Sequence, residues 1–124
     1  MTSPTQRSLA YLRSRGIQVG KVGDFWNQYA RIRQDLWGFA DLLCVRSVQA
    51  AGEWSSPAIF LVQATSGANH AARRDKILGI PAAKAWLEVG GGILILSWAR
   101  RGERGKVKRW QAREEWLAVL DFLT

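Results

Sequence analysis

Apolar and polar residues recur along the chain with two different periods, and the switches between them predict the element order. Near the start, Leu9, Ala10 and Leu12 recur at helical spacing, with Arg7, Arg13 and Arg15 turned outward. A helix is expected from a Ser3 or Thr5 cap to about Arg15, where Gly16 stops it. Ile17, Val19 and Val22 suggest a short strand, weakened by Gly20 and Gly23. Residues 24–32 read as a loop, aromatic and polar (Phe25, Trp26, Asn27, Tyr29) and long enough to carry function. Residues 37–48 read as a strand preceded by a turn at Asp35; the unbroken apolar run at 42–45 indicates burial on both faces. Residues 49–57 are a turn region, and 58–64 form the next strand, so the two strands are expected to pair as a hairpin.

In the second half, Ser66 or Asn69 can cap a helix through Leu78 that carries His70, Arg73, Arg74 and Lys76. Gly79 breaks it and Pro81 begins another, with Ala82, Ala85, Trp86 and Val89 facing inward, ending at Gly90. Residues 93–98 are strongly apolar and strand-like. A basic, glycine-containing loop follows at 100–108, then a return strand at 107–111. Leu117, Leu120 and Leu123, with Trp116, predict a closing amphipathic helix over 113–123. No repeat or linker interrupts the pattern, and the 124 residues are expected to form one domain.

Charge changes this picture most. The net charge of +8 makes a polyanionic partner a candidate, although a solvated basic surface explains charge alone equally well. The excess is mainly arginine, which suits bidentate phosphate contacts. Arg31, Arg33, Arg73, Arg74 and Lys76 are candidate nucleic-acid contacts. So is the densest cluster, Arg100, Arg101, Arg104, Lys106, Lys108 and Arg109. Cys44 is the only cysteine, which excludes an intrachain disulfide and a cysteine-based zinc site. No apolar run is long enough to span a bilayer and no secretory leader is visible, so a cytoplasmic protein without membrane partners is expected.

Two stretches hold chemistry. Residues 33–45 carry Asp35 and Asp41 six positions apart around Gly38, and residues 59–66 end in Gln63-Ala64-Thr65-Ser66. An acid inside an apolar run is costly unless paired or bound to a cation. Asp41 is therefore a candidate metal ligand, the alternative being a strand-end acid paired with arginine. Asp35 is a candidate second ligand or a turn cap, and Asp24 a turn residue or ligand. Gln63 is a ligand or a cross-sheet hydrogen-bonding group. Thr65 and Ser66 are equally explained as a helix cap, and a surface or contact role fits His70. Trp26 and Trp37 flank the stretch and are candidates to stack on a base.

Gly38-Phe39-Ala40-Asp41 followed by Val62-Gln63-Ala64-Thr65, in the order helix, three-strand meander, helix, strand, resembles the PD-(D/E)XK nuclease superfamily. It is most similar to Holliday-junction-resolvase-like and phage replication-repair members. The resemblance implies a restriction-endonuclease-like αβββαβ core, an α/β fold with a central mixed sheet flanked by helices and an extra C-terminal strand and helix. It implies Mg²⁺- or Mn²⁺-dependent DNA hydrolysis on branched DNA by a homodimer. Asp41 and Gln63 take the metal-ligand positions, and Asp35 is the expected further acid. The superfamily's lysine position falls on Thr65, which carries no charge; Lys76 or Arg73 would have to replace it. The alternative is a nuclease fold that binds DNA without cleaving it.

Overall fold

The computed structural model describes residues 2–23, 25–46, 57–102 and 104–123. Asp24, and residues 49–56 of the turn expected over 49–57 with the end of the strand before it, lie outside the described residues. The first helix, α1 (Pro4–Arg13), starts where the sequence says it should. The Ser3 hydroxyl accepts from the Gln6 amide at 3.1 Å, and Gln6 Oε1 accepts from the Ser3 N–H at 3.2 Å. This reciprocal cap satisfies two otherwise orphaned donors, with Pro4 already set for the first turn.

Five strands form one mixed sheet in the order β1 (Gln18–Lys21), β4 (Leu42–Val45), β5 (Ile59–Ser66), β6 (Gly92–Arg101), β7 (Arg109–Trp116). The strands β1, β4 and β5 are an antiparallel meander. The β5 and β6 strands run parallel, which requires a crossover. That crossover is α2 (His70–Leu78) and α3 (Pro81–Glu88), after a short 3₁₀ turn at Gly67–Asn69. The last pair, β6 and β7, is antiparallel. The chain is thus an α/β protein with a helix-flanked mixed central sheet, compatible with the αβββαβ core expected from the motifs.

Both faces of the sheet are covered. On one, Leu12 and Ile17 pack with Leu42, Cys44, Phe60, Val62, Leu94 and Leu96. On the other, Leu61, Ile93 and Ile95 pack with Phe39, Ala40, Ile77, Ala83 and Leu117. This two-sided burial is why β5 and the first half of β6 read as unbroken apolar runs rather than alternating ones.

Three elements differ from expectation. Residues 24–32 are not simply a loop: β2 (Phe25–Asn27) and β3 (Ile32–Gln34) pair as a separate two-stranded hairpin. The strand expected from 37 begins only at Leu42, because residues 36–40 close a tight turn. Leu36 and Ala40 exchange backbone hydrogen bonds at 3.1 and 3.0 Å. The expected helix over 113–123 is instead the end of β7 followed by a 3₁₀ turn at Val119–Phe122, which leaves Leu120 and Leu123 exposed. Ala112 and Trp116 are four apart, a spacing that puts two residues on one face in a strand as well as in a helix. Pairing with β6 decides between them. Val89, expected inward, lies beyond the end of α3 and is 81% exposed.

Candidate metal centre

The backbone brings Asp41 and Gln63 together. The Asp41 N–H donates to the Val62 carbonyl at 2.9 Å, extending the β4–β5 ladder by one residue beyond the Leu42–Val62 pair. Side chains alternate along strands. Leu42 and Val62 point toward α1, so Asp41 and Gln63 both point toward α2 and α3. Both are almost fully buried. Gln63 Nε2 donates to Asp41 Oδ2 at 3.0 Å, and the Ala64 N–H donates to the same oxygen at 2.8 Å. Gln63 Nε2 also donates to its neighbour's carbonyl, Ala64 O, at 3.1 Å. The other amide atom, Gln63 Oε1, is buried with no hydrogen-bond partner in the protein. A buried acceptor left unpaired costs about 1–3 kcal/mol.

Asp35 completes the cluster from the turn. Gly23 lies between the two acids: a Cβ there would sit 2.6 Å from Asp35 Oδ1 and 2.8 Å from Asp41 Cα, so only glycine fits. The Val22 and Gly23 N–H groups both donate to the Asp41 carbonyl, at 2.9 and 3.0 Å. The intervening turn carries Trp37 at φ 55° and Gly38 at φ 82°. Glycine reaches that region freely, whereas a bulky aromatic there is strained. Gly38 thus serves a sharp turn, and the close approach of backbone to the acids is made by Gly23. The strained Trp37 packs its ring 6.1 Å from that of Trp86.

Electrostatics mark Asp41 as unusual. Burial is the main cause that pushes its pKa up to about 7, and the charge and hydrogen bond of Asp35 push the same way. The Ala64 N–H and the charge of Arg73 pull it back only in part. A buried acid crowded by a second carboxylate is also a group that a divalent cation would relieve. The donor set, two carboxylates and an amide oxygen, is made of the hard oxygen ligands Mg²⁺ or Mn²⁺ takes. The orphaned Gln63 Oε1 fits that use: a half-turn of the amide exchanges its N and O and sets the carbonyl beside Asp41 Oδ2. Among the described residues no three His, Cys, Asp or Glu side chains gather into one group, so the amide is needed.

The remaining candidates divide. Thr65 is buried on β5 two positions past Gln63, on the same face, opposite Ser97 of β6. Of the cations on α2, Arg73 is the one whose charge acts on Asp41, and Lys76 is exposed one turn further on. Arg74, expected to contact nucleic acid, is bound within the protein. Its Nε donates to Glu115 Oε2 at 2.8 Å and its Nη2 to Asp121 Oδ1 at 3.1 Å. The same Glu115 meets His70 Nε2 at 2.7 Å, and His70 Nδ1 meets Ser97 Oγ at 2.7 Å. His70 is buried rather than on the surface, and its role is contact. Ser97, Glu115 and Asp121 were not foreseen from sequence, because their partners lie 27 to 47 residues away. Arg31 and Arg33 lie on the β2–β3 hairpin. Arg100, Arg101, Arg104, Lys106, Lys108 and Arg109 surround the exposed β6–β7 turn.

Set against family models, curated proteins and solved structures, this chain matches none. Among the described residues no helix is long and apolar enough to cross a membrane.

Proposed function

We propose that the chain is a metal-dependent DNA endonuclease of restriction-endonuclease-like type, acting on branched or structured DNA as a homodimer in the cytoplasm of a bacterial or virus-infected cell. The observation that carries the reading is the convergence of Asp41, Gln63 and Asp35, with a buried carbonyl oxygen left without a partner. The DNA structure, the dimer and the phage or mobile-element setting come from the motif resemblance alone.

In this reading Asp41 and Asp35 hold Mg²⁺ or Mn²⁺ with Gln63 Oε1. When bound, the ion supplies Lewis-acid chemistry on the phosphodiester. Asp41 must lose its proton to serve, so the active form is favoured above about pH 7. Arg73 supplies the positive charge that Thr65 cannot, set toward the phosphate from α2. The basic turn between β6 and β7 supplies sequence-independent backbone attraction.

A second reading has its own support. Asp41 Oδ2 is already engaged by two protein donors, and the superfamily's lysine position is an uncharged, buried threonine. Both features suit a nuclease fold that binds DNA without cutting it. Incubating junction, flap and linear DNA with protein in Mg²⁺ or Mn²⁺ separates the two. Cleavage lost by ~10³-fold or more in Asp41→Asn supports the enzyme. Salt-dependent binding without cleavage in either metal supports the binding module, and no salt-dependent binding removes both.

A further inference from the structure

We infer that the β2–β3 hairpin is a stacking platform for unpaired nucleotides, which it delivers to the Asp35–Asp41 cluster. The inference rests on the reading that the chain binds nucleic acid, and it names which part of that nucleic acid is gripped.

The hairpin springs directly from the acid cluster. Its first strand begins two residues after Gly23, which lies against both acids, and its second strand ends at Gln34, the residue before Asp35. Trp26 is three positions after Gly23, so its Cα lies no more than about 11 Å from that of Gly23. This is a reach of one or two nucleotides.

Two of its aromatic side chains are exposed where a core would bury them. Trp26 is 60% exposed and Tyr29, at the tip, 91%. Two large aromatics exposed beside one depression form a patch of the kind that marks a binding surface. In the hairpin register Trp26 faces Arg33, so an indole and a guanidinium share one face. That pairing suits a nucleobase lying on the ring with its phosphate near the cation. Trp26, Asn27, Gln28, Tyr29 and Gln34 line a shallow depression of about 380 Å³.

The tip is held in shape for this. Asn27 Oδ1 accepts from the Tyr29 and Ala30 N–H groups at 3.0 Å each, and Asn27 Nδ2 donates to Gln34 Oε1 at 3.1 Å. Arg31 takes a left-handed conformation, φ 53°. Asn27 and the Gln34 side-chain carbonyl are thus spent on holding the turn, and Gln28 is the amide left beside Trp26 and Tyr29 to meet a base edge. A duplex keeps its bases stacked on one another and offers this surface phosphates and groove edges but no base face. Unpaired nucleotides offer both faces of the base. Charge alone would grip either, so the aromatics are what select.

The test uses the full-length protein and three probes at one salt concentration: a dT12 oligonucleotide, a 12-base-pair blunt duplex, and a 12-mer of abasic sites. Trp26→Ala with Tyr29→Ala should weaken dT12 binding tenfold or more, down to the level at which wild type holds the abasic strand, while duplex affinity changes by less than about twofold. Trp26→Phe should restore most of the dT12 affinity. Both residues are exposed, so unchanged thermal melting should accompany the loss. Equal weakening toward dT12 and duplex, no weakening, or no preference of wild type for dT12 over the abasic strand would each overturn the inference. Asp41→Asn is run in parallel. The variant should keep dT12 selectivity; the same selectivity in a wild-type protein that cleaves no DNA in Mg²⁺ or Mn²⁺ would remove the endonuclease reading and leave the platform standing.

Discussion

Two partly buried polar clusters lie on the same face of one sheet, and they are built by opposite rules. In the first, His70, Ser97, Glu115, Arg74 and Asp121 pair donor with acceptor and cation with anion. Hydrogen bonds and the charges of Arg74 and His70 hold Glu115 below its usual carboxylate range, against a burial cost that acts the other way. This cluster ties α2 to β6 and β7. In the second, Asp35 crowds Asp41, Gln63 leaves a carbonyl without a partner, and Trp37 is strained to make the turn. Satisfied polar groups rigidify a fold, whereas conflict that survives inside a packed core points to a ligand or a reaction. The contrast is what directs function to Asp41 rather than to His70, even though serine, histidine and glutamate meet in a row. Ser97 is 1% exposed, too deep for a substrate to reach.

The comparison can be broken by exchanging its members. The largest contrast is between two adjacent arginines. Arg73→Ala should lower the cleavage rate by about 10–100-fold with little change in melting, because its charge acts on the acid cluster. Arg74→Ala removes the same charge and should lower Tm while leaving cleavage by the folded protein intact. Next, Glu115→Ala strips His70 and Arg74 of their shared acceptor. Chemical denaturation should show a loss of about 1–3 kcal/mol, moderated by the partial exposure of the pair.

A smaller effect has the opposite sign. The folded state raises the Asp41 pKa above its unfolded value, so between about pH 4 and pH 7 the folded protein binds the extra proton. Stability conferred by that proton is complete below the unfolded pKa and is lost as pH rises through about 7. Asp41→Asn removes the penalty. In metal-free buffer at pH 8 it should raise Tm, by roughly 4–8 °C for a relief on the order of 1–2 kcal/mol, and by little at pH 4. Smallest of all, Arg104→Gln or Lys108→Gln at the β6–β7 turn should each reduce the salt slope of DNA binding by about 1, without affecting either cluster.

Much of this was legible in the chain. The capped first helix and the two helices punctuated by Gly79 and Pro81 followed from local pattern. Burial on both faces, expected of residues 42–45, belongs instead to β5 and β6, since Val45 is 47% exposed. Asp41 stood out because an acid in an apolar run demands a partner, and Gln63 because of its place two residues before Thr65. The rest depended on contacts distant in sequence. Ala112 and Trp116 fit a strand and a helix equally, and only the open edge of β6 decides between them. Arg74 and Arg73 are indistinguishable until β7 delivers Glu115 to one of them. Gly23 looked like a weakness in a strand, and its use appears only when Asp35 folds back against it. Trp37 gave no local sign of its left-handed conformation beyond the glycine that follows.

The most direct measurement is calorimetric titration of Mn²⁺ into metal-free protein at pH 8 and pH 6, for wild type, Asp41→Asn and Gln63→Leu. Proton competition at a group with pKa about 7 predicts roughly tenfold weaker wild-type binding at pH 6, no site in Asp41→Asn and a weakened one in Gln63→Leu. Equal binding by wild type and Asp41→Asn at both pH values would contradict the claim that these oxygens form a cation site.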